Sequence, residues 1–334
     1  MASKPVVRVL GTGGSIAGIG PHRLDYYLYT EEGSRLTIGE SLARIPEVGD
    51  VAEVRAEDFL SVGSGSLTPV HWLAMARRIN QVFREEPEVD GIVLTHGTAT
   101  LEETAYFLHL TVKSPKPVVV TGAMRPASSV GTDADLNLYN AVQVAASPQA
   151  RGMGVMTVLN NQIHSARDVI KTDSFRVETF RSYDMGLLGY ADADGQEVFY
   201  RSLLRKHTID TPFDVEGLEE LSRVDIVYSY TGADGLLVEA VHGHGAQGLV
   251  LVGLGSGTLP PAVEDAAARA IAEGLAVVTA SRIVSGRVIT TPKKRRLGFI
   301  VSDSLLPQKA RVLLMLALTQ TRDRDTIQQM FYNY

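Results

Sequence analysis

Residues 91–105 read GIVLTHGTATLEETA, and this stretch joins an apolar segment, a polar turn and a helix start. Its first five residues form a short apolar run of the kind found in strands buried on both faces of a sheet. Thr100 followed by Glu103 predicts a capping box that opens a helix reaching about Val112. The stretch therefore predicts a strand–helix unit with the turn Thr95–Thr98 at the carboxyl end of the strand.

The same pattern recurs along the first two-thirds of the chain. Thr132 with Asp135 predicts a second, weaker capping box, ahead of a helix over 136–145. Repeated alternation of strand and helix predicts an α/β fold with a parallel sheet covered by helices on both faces. In such sheets the functional loops lie outside the carboxyl ends of the strands. Further strands are predicted at 6–10, 117–121 and 153–159.

A non-periodic segment near residues 206–220 separates two alternating regions. We therefore expect a large N-terminal parallel-sheet domain over residues 1–207, a linker over 208–222 and a smaller C-terminal α/β domain over 223–334. The length of 334 residues fits two domains. The C-terminal region is predicted to hold strands at 225–230, 249–254 and 276–280, and helices at 236–241, 262–273, 307–321 and 323–331.

Composition excludes several classes of function. The net charge of −6 argues against nucleic acid or an anionic membrane as the main partner. The absence of cysteine excludes disulfides and thiol catalysis. No apolar run approaches membrane-spanning length, and the start Met1–Pro5 has no apolar signal region. A cytoplasmic location is expected, or a periplasmic one if a signal peptide has been removed.

Two glycine-containing turns carry hydroxyl groups at predicted strand ends. The turn Gly11–Ser15 does not fit dinucleotide binding, since that fingerprint needs a third glycine where Ile16 stands and an amphipathic helix directly after it. Thr98 precedes a helix N-terminus, where backbone N–H groups can hold an oxyanion, although a threonine there is commonly only a cap. Nucleophile-elbow and zinc-protease motifs are missing, and the eight histidines are scattered.

Three other segments indicate a functional role only when they are considered together with these turns. Gly18–Gly39 is long and polar and contains three tyrosines, which predicts a mobile lid. Ser64 lies in the loop Gly63–Ser66. Lys171 follows Arg167-Asp168, and a loop lysine is usually a solvated charge.

Taken together, these motifs resemble the bacterial L-asparaginase/glutaminase family. The resemblance implies a flavodoxin-like N-terminal domain, a smaller C-terminal α/β domain, a homotetramer of intimate dimers with sites between subunits, a small-molecule substrate and no cofactor or metal. The matching segments are Thr12–Gly18, Thr95–Ala105, Gly122–Pro126, Asn137–Ala141, Arg167–Lys171, Lys206–Thr208, Thr211–Asp214 and Pro307–Arg311.

The resemblance also assigns roles to individual residues. It places the nucleophile at Ser15, where the family has threonine, a second catalytic threonine at Thr98 and its lysine at Lys171. A lid tyrosine that hydrogen-bonds the nucleophile falls near Tyr29, with Tyr26 and Tyr27 as alternatives. Substrate-binding positions fall on Ser64, which would hold the α-carboxylate, and on Gly65, Gly97, Ala99 and Ala123.

The chain departs from the family where the substrate's α-ammonium is bound. Ala99 replaces an aspartate, Gly65 replaces Gln or Glu, and residues 290–296 hold no acid where the family supplies a Glu. Thr258 also replaces an asparagine. An unpaired buried ammonium costs on the order of 3–5 kcal/mol, or roughly two to four decades in kcat/KM. We therefore expect L-asparagine to be a poor substrate.

Three hypotheses about the function follow from these observations. The first is an amidohydrolase acting through Ser15 on a desamino or N-substituted amide, a cyclic amide or imide, or a lactone. The second is a genuine L-asparaginase/glutaminase, and the third is a ligand-binding homologue without turnover. Non-hydrolytic chemistry at the same site stays open.

Two secondary expectations concern lysines. Without a neighbouring aspartate, desolvation should lower the pKa of Lys171 and make it a better base. The run Lys293–Arg296 could meet an extra substrate carboxylate, although a solvated charge run is the more common meaning of such a pattern.

Overall fold

The structure, a computed structural model, describes residues 3–334. These residues divide into two compact units, the first extending to Glu216 and the second comprising Gly217–Tyr334. The division falls inside the segment 208–222 that the sequence predicts as a linker. Met1 and Ala2 lie outside the described residues. They are the first residues of the expected N-terminal domain and of the segment Met1–Pro5, in which no signal region is predicted.

The first unit contains one large mixed sheet and two small two-stranded sheets. Its strands are β1 (Val6–Gly11), β2 (Gly18–Ile19), β3 (Ser34–Arg35), β4 (Glu53–Asp58), β5 (Val89–Thr95), β6 (Val118–Thr121), β7 (Val155–Leu159), β8 (Gln162–Ser165), β9 (Ile170–Lys171), β10 (Phe180–Arg181), β11 (Gly189–Ala191) and β12 (Glu197–Phe199). The large sheet has the order β12-β11-β8-β7-β6-β5-β1-β4, while β2 pairs with β3 and β9 with β10. Its helices are α1 (Ile38–Ala43), α2 (Val48–Val51), α3 (Pro69–Glu85), α4 (Leu101–Thr111) and α5 (Ala134–Ala146).

Strands β4, β1, β5, β6 and β7 are parallel, as the strand–helix alternation predicts. Their residues are almost all apolar and fully buried in β5 to β7, because helices cover both faces of a parallel sheet. The antiparallel extension through β8, β11 and β12 was not predicted. These strands are short, and two of them are only partly buried, so they lack the continuous apolar pattern.

The second unit contains a smaller parallel sheet of order β13-β14-β15-β16. The strands are β13 (Val224–Tyr228), β14 (Gly248–Gly253), β15 (Ala276–Ser281) and β16 (Ile300–Val301). The helices are α6 (Leu236–Gly243), α7 (Pro261–Ala272), α8 (Pro292–Leu297), α9 (Pro307–Ala317) and α10 (Arg324–Asn333). The α/β fold class with a large and a smaller sheet is thereby confirmed.

Both predicted capping boxes are wrong, although the helices they introduce are present. Thr100 is the N-cap of α4, but its side chain makes no cap hydrogen bond and donates instead to the Ser64 carbonyl oxygen at 3.0 Å. The N-cap of α5 is Asp133 rather than Thr132. The carboxylate of Asp133 accepts hydrogen bonds from the backbone N–H groups of Met124 and Arg125. At Thr100 a tertiary contact takes the side chain away from its own helix. The Asp133 carboxylate is shared between the loop before α5 and the side chain of Asn137 within the helix.

Candidate active site

Three neighbouring strands bring three loops to one edge of the large sheet. β1 lies between β4 and β5, and Gly11 is in register with Asp58 on one side and Thr95 on the other. The loops that follow these strands therefore start side by side, at the carboxyl edge where α/β sheets place their sites. They carry Ser15, Ser64 and Thr98.

The three loops pack closely against one another at two glycines. Gly14 has φ 90°, and a Cβ atom there would lie 2.5 Å from both Cα and N of Gly97. A Cβ atom on Gly97 would in turn lie 2.6 Å from the Oγ of Ser64. Only glycine permits such approaches, and the positive φ of Gly14 independently disfavours any side chain. These contacts set the spacing between the loops.

Ser15 begins a single 3₁₀ turn, Ser15–Ala17, and its side chain is buried. Its Oγ lies 2.8 Å from the hydroxyl oxygen of Tyr29. Tyr26 and Tyr27 instead expose 41% and 65% of their surface. Among the three lid tyrosines, the structure thus brings Tyr29 to Ser15.

The lid turn that carries Tyr29 is organised by a buried carboxylate. Asp25 accepts hydrogen bonds from the backbone N–H groups of Tyr27, Leu28 and Tyr29 at 3.1, 2.7 and 2.8 Å. The Oγ of Ser129 donates to the Asp25 carbonyl oxygen at 2.8 Å, which ties the turn to the body of the unit. Burial alone would raise the pKa of Asp25, but the three N–H donors bring it below its usual value. The mobility of the lid stays a prediction.

Thr98 and Lys171 form a second hydrogen-bonded pair of predicted site residues. The Nζ of Lys171 donates to the Thr98 Oγ1 at 2.8 Å, and the backbone N–H of Lys171 donates to Glu102 at 2.6 Å. Burial lowers the pKa of Lys171, while the carboxylates of Glu102 and Asp173 act in the opposite direction. The lowered pKa agrees with the prediction, and the two opposing carboxylates were not foreseen.

These side chains line one cavity of about 420 Å³. It also contains the predicted binding positions Ser64, Gly65, Gly97 and Ala99, but Ala123 is fully buried in the hydrophobic core and does not line it. Among the described residues, no aspartate or glutamate lines this cavity. The remaining lining residues are Gly14, Gly18, Thr30, Arg35, Gly63 and Ser66.

Two of the positions at which the sequence analysis expects a departure from the family, Gly65 and Ala99, are open. A Cβ atom added at Gly65 would meet no atom within 4 Å, and Ala99 is exposed. A longer side chain would fit at position 65 without displacing a neighbour. The lack of an ammonium ligand at this position is therefore a matter of residue identity rather than of space.

Arg35 was not predicted from the sequence, and it lines the cavity from the C-terminal end of the lid segment. The sequence around Arg35 gave little indication of a role in the site, since an arginine in a polar loop is normally a solvated charge. Its NH1 group donates to the Ser61 carbonyl oxygen at 3.3 Å. The packing of the lid against residues 61–65 brings Arg35 to the site.

His96 lies beneath the second turn and is fully buried. Its Nδ1 is 2.8 Å from the Gly97 carbonyl oxygen, and no group within residues 3–334 forms a hydrogen bond with its Nε2. Burial lowers the pKa of His96 to about 4, so the ring is neutral at ordinary pH. A neutral histidine here acts as a spacer under the turn rather than as a charge in the cavity.

The basic run Lys293–Arg296 lies on α8 of the second unit. Lys293 forms an ion pair with Glu264, and Lys294 is partly buried. A role for this run toward the substrate stays a prediction. Across residues 3–334 no helix is long and apolar enough to cross a membrane, and no group of three or more His, Asp or Glu side chains is arranged to hold a metal ion.

Comparison with known proteins matches both units. The family model "Asparaginase, N-terminal" matches residues 6–204, and "Glutaminase/Asparaginase C-terminal domain" matches 223–331. The chain is 45% identical to L-asparaginase 2 of Bacillus subtilis, over 99% of this chain and 87% of that protein. It is 43% identical to L-asparaginase 2 of Escherichia coli, over 99% and 93%. A crystal structure of a probable cytoplasmic L-asparaginase from Campylobacter jejuni matches with TM-score 0.94 at 41% identity, over 99% of this chain and 100% of that one.

Proposed function

This chain belongs to the asparaginase family, and on that premise we propose that it cleaves its substrate through an acyl intermediate on Ser15. As a family member it is an amidohydrolase, acting on C–N bonds other than peptide bonds. The substrate proposed here is an amide or related acid derivative without a free α-ammonium group. Desamino and N-substituted amides, cyclic amides or imides, and lactones all belong to that class.

In the proposed first step the Ser15 Oγ bonds to the substrate carbonyl carbon and gives its proton to the Tyr29 oxygen, 2.8 Å away. Tyr29 in turn releases its own phenolic proton, which goes to the leaving nitrogen, so the tyrosine ends the step neutral. Backbone N–H groups of the glycine-containing turns hold the oxyanion. The C–N bond then breaks as the leaving nitrogen takes up a proton, and the acyl group stays on Ser15.

In the second step water hydrolyses the acyl-serine. The Thr98–Lys171 pair, with its 2.8 Å contact, accepts the water proton. The lowered pKa of Lys171 supports this role, because a neutral amine can take a proton and an ammonium cannot. The carboxylic acid product leaves and Ser15 regains its proton.

The substrate proposal rests on the composition of the cavity. Among the described residues that line it, two side chains are basic, Arg35 and Lys171, and none is acidic. An ammonium group placed there would lose its hydration without gaining a carboxylate partner. A substrate that lacks the ammonium avoids that loss, and Ser64 remains available for its carboxylate.

The test is a panel of substrates with and without the α-amino group. We expect succinamate, N-acetyl-L-asparagine or succinimide to be hydrolysed at least about 100-fold more efficiently than L-asparagine, the gap that an unpaired ammonium predicts. Ser15→Ala serves as the blank for every compound. Release of ammonia from L-asparagine with the highest kcat/KM of the panel would overturn the proposal.

The acyl intermediate has its own test. Rapid acid quench followed by mass spectrometry should find the acyl group on the peptide that contains Ser15, and Ser15→Ala should show none. Turnover without an adduct would contradict the covalent route. Absence of both turnover and adduct would instead favour a ligand-binding homologue.

A second candidate function is genuine L-asparaginase or glutaminase activity with ammonia release. The names of the Bacillus subtilis and Escherichia coli relatives favour it, since both are called L-asparaginase 2. In that case ordered water or lid residues would have to replace the missing acids. The substrate panel separates this candidate from the first.

We also propose that the chain assembles as a homotetramer of intimate dimers, as the family resemblance implies. Light scattering coupled to size-exclusion chromatography should give four times the mass of one chain. A monomeric mass would contradict the tetramer and leave the proposed chemistry of the first unit unaffected.

A further inference from the structure

Arg35 places a cation at the cavity beside the loop that presents Ser64. Its NH1 donates to the Ser61 carbonyl oxygen at 3.3 Å, and its NH2 would lie 3.7 Å from a Cβ atom on Gly63. The guanidinium therefore lies along residues 61–63, and both Arg35 and Gly65 line the cavity. Its side chain is exposed, so it can reach a ligand without first being uncovered.

No carboxylate within residues 3–334 pairs with Arg35. The contact with Ser61 is weak and uses one of the five N–H donors of the guanidinium. Other arginines of the same unit, such as Arg8, Arg44 and Arg78, each bind a glutamate or aspartate. The remaining N–H donors of Arg35 are thus available to a ligand. They lie at the edge of a cavity that no acidic side chain of the described residues lines.

The two basic groups stand at different places in the site. Lys171 is engaged with Thr98 inside the cavity, whereas Arg35 is contributed by β3 of the lid. A positive cavity attracts anions, and a planar guanidinium binds a carboxylate through two parallel hydrogen bonds. A ligand with one carboxylate at Ser64 and a second nearby would match this arrangement.

We propose that Arg35 is a specificity-determining residue that selects substrates carrying a second carboxylate where asparagine carries its ammonium. The substrate class is then a carboxylate-substituted succinamate or its cyclic imide, and the product is a tricarboxylate. This inference rests on the proposed function, because it names the group that takes the place of the missing ammonium.

The test measures product binding by calorimetry and so does not depend on turnover. Ethane-1,1,2-tricarboxylate should bind the full-length enzyme about fivefold to tenfold more tightly than succinate, which lacks the second group. Arg35→Gln should abolish this preference and leave succinate binding within about twofold. Because Arg35 is exposed, the preference should shrink as the salt concentration rises.

Arg23→Gln is the matched control, since it removes an exposed arginine of the same lid that does not line the cavity. It should keep the preference for the tricarboxylate. Equal affinity for the two acids, binding of neither, or an unchanged preference in Arg35→Gln would overturn the inference. If succinamate is nevertheless hydrolysed with formation of an acyl-Ser15, the proposed function stands without this specificity.

Discussion

Ala99 and Lys171 line the same cavity, and Ala99 offers no charge that would keep the lysine protonated. Burial lowers the pKa of Lys171 even though Glu102 and Asp173 oppose the shift. In the proposed mechanism, the balance between these effects sets the pH at which the Thr98–Lys171 pair accepts a proton.

An aspartate at position 99 should shift that balance. In Ala99→Asp the new carboxylate favours the charged lysine and raises its pKa. Activity that requires neutral Lys171 should then appear only at higher pH, so the ascending limb of kcat/KM should move by about one pH unit. The measurement is a pH–rate profile on the best substrate of the panel.

Ala99→Asn is the control, because it has nearly the same size without the charge. Its ascending limb should coincide with that of the unchanged enzyme. A limb that stays in place in Ala99→Asp would mean that Lys171 is not the base.

At this scale the sequence allowed much of the site to be predicted. The turns that contain Ser15 and Thr98 follow predicted strands, the family resemblance points to Lys171, and the structure brings all three to one cavity. Arg35 could not be found in this way, since its place depends on how the lid packs against residues 61–65. Ala123 follows β6 in a matching motif but lies in the core.

Among the elements, the lid turn shows how a single carboxylate can position a side chain of the candidate site. Asp25 accepts three backbone N–H groups, the last of which belongs to Tyr29. The Tyr29 hydroxyl then reaches Ser15 at 2.8 Å. Asp25 does not line the cavity, so we regard it as a positioning residue.

Asp25→Asn should weaken the turn. The amide keeps one oxygen and directs an NH₂ group at backbone donors, so at least one of the three bonds becomes a repulsive contact. We expect kcat/KM to fall about tenfold, the equivalent of one lost hydrogen bond to a charged group. Steady-state kinetics on the best substrate of the panel gives this value.

A double-mutant cycle with Tyr29→Phe distinguishes positioning from general loosening. If Asp25 acts through Tyr29, adding Asp25→Asn to Tyr29→Phe should cause little further loss. Fully additive losses would contradict the positioning role. Asp323→Asn is a control from the second unit, where Asp323 likewise accepts a backbone N–H, from Thr326 at 2.8 Å.

Helix existence was easier to predict than helix capping. The apolar pattern is enough for α4 and α5. Capping is less local, since Thr100 bonds a loop 36 residues away and Asp133 bonds the turn eight and nine residues before it. The helix Pro69–Glu85 was not predicted, although Thr68 and His71 form a reciprocal cap at its start. A histidine is not among the residues that define the usual capping box.

For the whole molecule, the order of the strands decides which loops meet. The sequence predicts that the sheet is parallel, but it does not state that β1 lies between β4 and β5. That order depends on pairing between strands far apart in the chain, which local patterns do not encode. The family resemblance supplied the juxtaposition that periodicity alone could not.

The buried His96 makes a prediction about global stability. Its pKa is about 4 in the folded protein and near 6.5 when exposed, so between these values the unfolded chain binds the proton and the folded one does not. The free energy of unfolding should therefore fall as the pH drops from about 6.5 to about 4, by on the order of 3 kcal/mol. Urea unfolding at pH 7, 6 and 5 measures the slope.

His96→Gln removes the titrating ring and should flatten this part of the profile, even if the variant is less stable at pH 7. His22→Gln, in the exposed part of the lid, should keep the original slope. An unchanged slope in His96→Gln would show that other groups govern acid sensitivity.

The contact between Gly14 and Gly97 has a consequence for how this enzyme can change. Main-chain atoms hold the two reactive loops at their separation, so that separation does not depend on the side chains around the cavity. Positions 65 and 99 face open space and can be exchanged without moving the loops. The spacing of the loops and the side chains of the cavity wall can therefore change independently, so that substitutions at positions 65 and 99 can alter which ligand fits without altering the distance between Ser15 and Thr98.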